Sequence, residues 1–174
     1  MPSSKDVVSH GFTLAGPPLG FVKVNWDAAV DSVNRRMGIG VIIRSSTGEV
    51  LATLSALKSY IINPLIAEAT AALRAVTFSR DLGFPKVMLE GDALVIVQAL
   101  QSPLCNFSSY GHLIEEARSH LNSLHSWRIN HVRRHLNGAA HRLAKVALTL
   151  TEDQIHVAEV PQCISEIIAM ERCT

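Results

Sequence analysis

Between Phe21 and Lys58 the sequence runs through three β-prone stretches joined by short connections, and this constrains the fold more than any other feature. Phe21 to Asp27 (FVKVNWD), Gly38 to Arg44 (GIGVIIR) and Glu49 to about Lys58 each read as a strand. Ser45-Ser46-Thr47-Gly48 is a turn, and short turns favour antiparallel pairing of the strands they join. The period then changes. Leu65, Ala69, Ala72, Leu73 and Val76 recur at helical spacing from about Pro64 to Leu82, and Gly83 and Pro85 end that helix. Lys86 to Glu90 is a fourth strand. Helices follow from about Ala93 to Leu100 and from about Ser108 to Leu124, with Pro103 between them, and Trp127 to Arg133 is a fifth strand. Asn137 stands where it can cap a helix running to about Leu150. Val160-Pro161 precedes a short apolar helix around Ile164 to Met170.

The order is therefore β-β-β-α-β-α-α-β-α. It predicts an α/β domain with a five-stranded mixed sheet, three antiparallel strands and then two parallel ones, flanked by helices. A doubly wound parallel sheet would alternate strand and helix from the start. The 174 residues suit one such domain, given that domains commonly run to about 100–200 residues. Aromatic residues make up only 5% of the chain, so Ala, Val, Ile and Leu must fill the core. Residues 1–20, with Ser3-Ser4, Gly11, Gly16, Pro17-Pro18 and Gly20, read as a leader or linker. Residues 21–150 read as the domain, and 151–174 as a tail with a short helix.

Cys105, Cys163 and Cys173 are widely spaced and form no CxxC pair, which fits a reducing compartment and provides no zinc or disulfide framework. No apolar run reaches the roughly 18 residues of a membrane span, and no basic start precedes an apolar core as in a secretory signal. The expectation is a soluble protein of the nucleus or cytoplasm, neither secreted nor membrane-bound.

Three carboxylates carry the chemistry. Asp27 ends the first predicted strand and Asp92 follows the fourth, both at C-terminal strand ends, where open α/β sheets place their sites. Glu68 is the only carboxylate between Val50 and Arg80 and lies among Ala67, Ala69, Ala71 and Ala72. Such small side chains let a helix approach a sheet closely. An acid on a packed face needs a partner, because an unpaired buried charge is expensive. A metal ion shared with Asp27 and Asp92 answers that need, and three oxygen donors suit Mg2+ or Mn2+. Taken singly, each acid has a plainer reading: a turn or cap for either Asp, a solvent-facing helical position for Glu68.

Net charge is +1, yet no carboxylate falls between Ala117 and Thr151, and the interval from Arg118 to Lys145 holds five Arg, one Lys and five His. This stretch could meet phosphates or form a solvated basic face.

The runs KVNWDAA, GIGVIIRSSTGEVL, AEATAAL, VMLEGDALVIVQAL and INHVRRHLNGAAHRLAKVAL, in this order, resemble the ribonuclease H type 1 family, and most closely its retroelement-derived plant branch, associated with reverse transcriptases. The resemblance spans about Pro17 to Leu150 and extends to the tail around Glu159-Val160-Pro161. It implies the ribonuclease H-like fold and metal-dependent cleavage of the RNA strand of RNA–DNA hybrids, with one or two divalent ions and no small-molecule cofactor. It places Asp27, Glu68 and Asp92 at the first three of the family's four acids. His131 stands at the position of a histidine credited with proton transfer or product release, and Asn137 matches the motif's asparagine. Arg133, Arg134, Asn137, Arg142 and Lys145 become candidates for contact with nucleic acid. Trp26 and Trp127 read as core rather than base-stacking platforms, and His125 and His135 as surface.

The fourth acid is missing. The residue four beyond Asn137 is His141, so a hard, anionic oxygen ligand is replaced by imidazole. Imidazole suits Mn2+ better than Mg2+, and a position in the first turn of a helix favours the neutral, ligating form. His141 is therefore counted with the three acids as a metal and catalytic residue. Ala28, where the family often has Gly, is a second, milder departure. His141 also motivates a rival from another class, a nucleic-acid-binding domain that keeps the fold without turnover.

Overall fold

The computed structural model describes residues 16–172. Of the expected leader, residues 1–15 lie outside the described residues, as does Cys173; residues 16–20 form no strand or helix and end in a turn closed by Phe21 N–H on the Pro18 carbonyl at 2.9 Å. Strand β1 runs Val22–Asp31, β2 Arg36–Arg44 and β3 Val50–Ser59; helix α1 is Pro64–Asp81, β4 Lys86–Gly91, α2 Leu94–Gln101, α3 Gly111–Asn122 and β5 Ser126–His131. A 3-10 turn at Arg134–Leu136 leads into α4, Gly138–Ala147, followed by β6, Gln154–Val157, and α5, Ser165–Arg172.

The sheet is mixed, in the order β5-β4-β1-β2-β3-β6. The strands β1, β2 and β3 form an antiparallel meander, while β4 joins β1 in parallel and β5 joins β4 in parallel. This is the expected α/β class with one correction: the sheet has six strands, not five. The sixth, β6, pairs antiparallel with β3 over Ala52↔Val157 to Ser55↔Gln154. Its four residues, QIHV, are mostly exposed, so it carries too short and too polar a pattern to read as a strand. Its pairing covers what would otherwise be a free edge of β3.

Alternation along the strands divides the core into two layers. Val24, Trp26, Ile39, Val41, Ile43 and Leu54 face α1, α2 and α3 in the larger cluster. Ile42 and Val50 face the opposite way, against Ala139, Ala140 and Leu143 of α4 and Ile164 and Ile168 near the C-terminal helix. Central β2 is covered on both faces and is apolar almost throughout, as a doubly covered strand must be. Helix α1 starts where Asn63 Oδ1 accepts from Leu65 N–H at 3.0 Å and Ile66 N–H at 3.1 Å, with Pro64 in the first turn. It ends before Gly83, whose φ of +80° suits glycine. The buried face of α1 is mainly alanine, so the helix lies close to the sheet.

Two glycines bring α4 equally close on the other face. A Cβ at Gly38 would strike the Ala144 carbonyl, and one at Gly40 would strike the Ala140 carbonyl. Ser55 Oγ–H adds a buried hydrogen bond to the Leu143 carbonyl at 3.1 Å. Among the described residues no helix is long and apolar enough to cross a membrane, and Cys105 and Cys163 are free thiols.

Candidate metal centre

Asp27 sits within β1, opposite Gly40 of β2 and only 2% exposed. The alternation that buries Trp26 toward α1 turns Asp27 toward α4. Glu68 comes from the alanine-lined face of α1, one turn in from its N-terminus. Asp92 immediately follows β4. Their carboxylate oxygens lie within 4.8 Å of one another. Thus two sheet strands and helix α1 on one face bring the three acids of the sequence reading to one point.

Three anions at such spacing repel, and burial strengthens the repulsion. Burial, then the charges of Asp27 and Asp92, push the Glu68 carboxyl up to about 9. Burial likewise raises the Asp27 carboxyl; the His141 hydrogen bond opposes this, and the Asp92 charge adds to it. Glu68 Oε2 is buried with no hydrogen-bond partner. A buried carboxylate oxygen without a partner, facing two further carboxylates, fits a divalent cation: the ion would supply the missing partner and cancel the repulsion. Asp27, Glu68 and Asp92 would hold it, as hard oxygen donors.

His141 lies beside this triad. Its Nδ1 is 2.6 Å from Asp27 Oδ2, so one proton is shared between them. The ring is 32% exposed while the Asp27 side chain is 2% exposed. It thus occupies an oxygen of Asp27 directly. His131, the last residue of β5, donates Nε2–H to the Asp92 backbone carbonyl at 3.1 Å. Arg134, from the 3-10 turn, holds Nε 3.5 Å from Asp92 Oδ2 while its side chain is 80% exposed.

Asn137 is a correction. It stands at the N-cap of α4 as expected, but its side chain makes no cap, and at 2% exposed it is buried where contact with nucleic acid was expected. Its Nδ2 donates to the Trp26 carbonyl at 2.8 Å, tying the start of α4 to the residue before Asp27. Being buried, it presents nothing to a ligand outside. Arg142 is exposed but turns away from the acids, toward Gln162, Cys163 and Glu166 beside α5. Lys145 is exposed one turn beyond His141, on the same face of α4, and Arg133 is exposed just before the 3-10 turn. Trp26 is fully buried, and Trp127 packs partly buried against the larger core cluster. Sequence reasoning missed Gly38 and Gly40 as the residues that admit α4; their signal was glycine at alternate positions of an otherwise β-branched strand, which marks close backbone approach.

A family profile described as reverse transcriptase-like matches residues 25–147. The chain belongs to the reverse transcriptase-like family, an RNase H-like domain. Solved structures agree on the fold. This RNase H-like chain is similar to RNase H1 from Halobacterium salinarum, with a TM-score of 0.69 and 25% identity over 74% of this chain and 98% of that one. It is similar to the N-terminal RNase H domain of a Mycobacterium tuberculosis protein, with a TM-score of 0.67 and 18% identity over 74% of this chain and 94% of that one. A compost metagenomic RNase H1, solved in complex with an RNA/DNA hybrid, has a TM-score of 0.65 and 20% identity over 74% of this chain and 96% of its own. No curated protein matches the sequence.

Proposed function

We propose that this RNase H-like domain hydrolyses the RNA strand of RNA–DNA hybrids with Mg2+ or Mn2+ held by Asp27, Glu68 and Asp92. The observation that carries the reading is Glu68: its Oε2 is buried without a partner, facing two more acids, in a fold whose solved relatives include an RNase H1 bound to a hybrid. When bound, one or two divalent ions supply activation of water and stabilisation of the leaving oxygen.

The chain's own residues then have distinct tasks. Asp27, Glu68 and Asp92 orient the attack by fixing where positive charge sits. His131, exposed beside Asp92, is placed to take or return a proton at the site's rim. Arg134 balances Asp92 in the protein alone and turns to substrate phosphate when Asp92 is engaged; Arg133 and Lys145 add positive charge along the same rim. Arg142 extends the basic surface toward α5. Such contacts read backbone and groove shape rather than base sequence, and a hybrid is told from DNA through its 2′-hydroxyls. The proposed working unit is residues 21–150, with the following segment supplying β6 and α5.

His141 takes the place of a fourth ligand, and an imidazole there favours Mn2+ over Mg2+. Its contact with Asp27 also favours a second reading, a domain that binds hybrids with little turnover, because His141 holds an oxygen that the metal needs. A cleavage and binding assay on RNA–DNA hybrid, duplex DNA and single-stranded RNA separates the two. The first reading expects cleavage of the hybrid's RNA strand, faster with Mn2+. Hybrid binding without cleavage under either metal selects the second. Neither binding nor cleavage of the hybrid overturns both.

A further inference from the structure

The seam between β1 and β4 opens at the metal site. Their parallel ladder ends at Asn25↔Glu90. Continued by one and two residues, the same register would set Trp26 level with Gly91 and Asp27 level with Asp92. The neighbouring ladders do not stop there: β4 pairs with β5 as far as Gly91↔His131, and β1 pairs with β2 as far as Asp31↔Arg36. The opening therefore belongs to this one seam. It also explains how Glu68 from a helix on one face and His141 from a helix on the other both reach Asp27.

Two contacts occupy the seam. On the α1 face, the six-membered ring of Trp26 lies against Gly91, where an added Cβ would fall 2.5 Å from Trp26 Cε2 and 2.7 Å from Cη2. The Trp26 side chain is fully buried and its Nε1 has no hydrogen-bond partner, so packing alone fixes the ring. Asn137 supplies the other contact: its Nδ2–H donates to the Trp26 carbonyl at 2.8 Å.

We propose that Trp26, Gly91 and Asn137 are positioning residues that hold the β1–β4 seam open and thereby set the spacing of Asp27 and Asp92 for the metal. The indole is the wedge, Gly91 is the only residue type that lets the wedge seat, and Asn137 secures the backbone of β1 beside it. None of the three touches the ion or the substrate. The inference rests on the metal-site reading above.

The test is Mn2+ affinity, measured on the full chain by the paramagnetic resonance of free Mn2+, alongside thermal denaturation. In Gly91→Ala the methyl group must displace the indole, and affinity is expected to fall by about tenfold or more, as when groups behind metal ligands are lost. Trp26→Phe lacks the ring atoms that the methyl would strike. The added methyl and the smaller phenyl ring then share the space of the indole, so at a temperature where thermal denaturation shows both variants fully folded, Trp26→Phe/Gly91→Ala is expected to bind Mn2+ more tightly than Gly91→Ala alone. Gly91→Ala that binds Mn2+ like the wild type, or a double variant that shows no rescue, overturns the proposal. If Gly91→Ala does not fold, Asn137→Ala carries the test: weakened affinity below its melting temperature supports the proposal, and unchanged affinity overturns it. Wild-type protein that binds no Mn2+ overturns the metal-site reading and this proposal together, whereas failure of the variants alone overturns only the proposal.

Discussion

Glu68 is held neutral in the protein without metal, its carboxyl raised from about 4.5 to about 9. The unfolded chain releases that proton near 4.5, while the folded chain keeps it until about 9. Between those values the folded state binds more protons, so stability without metal falls as pH rises through the window. Glu68→Gln removes this dependence. Its melting temperature in chelator is expected to exceed the wild type's at pH 8 and to vary less with pH, while the stabilisation by added Mn2+ disappears; a Mn2+ effect as large as the wild type's contradicts the assignment. His141→Asp restores an acid at the fourth position. It is expected to raise the Mg2+-dependent cleavage rate relative to the Mn2+ rate, checked by assaying hybrid cleavage with each metal. At this scale the acids were legible because a carboxylate among alanines on a buried helix face is an anomaly with few remedies. Asn137 was not legible: asparagine before a helix signals a cap by default, and only tertiary packing sends its amide to the Trp26 carbonyl.

Among the elements, α4 depends most on its neighbours, since Gly38 and Gly40 let its backbone rest on β2. Gly40→Ala forces α4 outward, and with it His141. The expected cost is about 1–3 kcal/mol, the usual range for overpacking, read as a lower denaturant midpoint. Activity should change its metal preference as His141 leaves Asp27. Unaltered stability would contradict the close packing of α4 on β2. Elements β1 to β5 and α1 to α4 were readable from periodicity because each buries a continuous face. Strand β6 was hidden: Ile155 is 51% and Val157 60% exposed, so burial left no alternating signal and only the free edge of β3 selects those residues. The opening of β1 from β4 was equally invisible, since a register is a property of two strands and not of either alone.

Across the whole molecule, the basic stretch seen in the sequence does not act as one surface. Arg118 is spent inside, donating to the Ser102 carbonyl at 2.6 Å and the Leu104 carbonyl at 2.7 Å. Arg128 stacks 5.3 Å from the centroid of the Phe21 ring. Arg134 remains beside Asp92 and Lys145 lies one turn beyond His141 on α4, while Arg142 faces α5. Hybrid affinity is therefore expected to fall with salt, and Arg134→Ala should lower the slope of log affinity against log salt by about one. An unchanged slope would remove Arg134 from the phosphate contacts. The three acids are tested most directly by cleavage of an RNA–DNA hybrid labelled on the RNA strand, in Mn2+, by the wild type and by Asp27→Asn. The expected result is internal cleavage of the RNA by the wild type and background cleavage by the variant; cleavage that persists undiminished in Asp27→Asn contradicts the account.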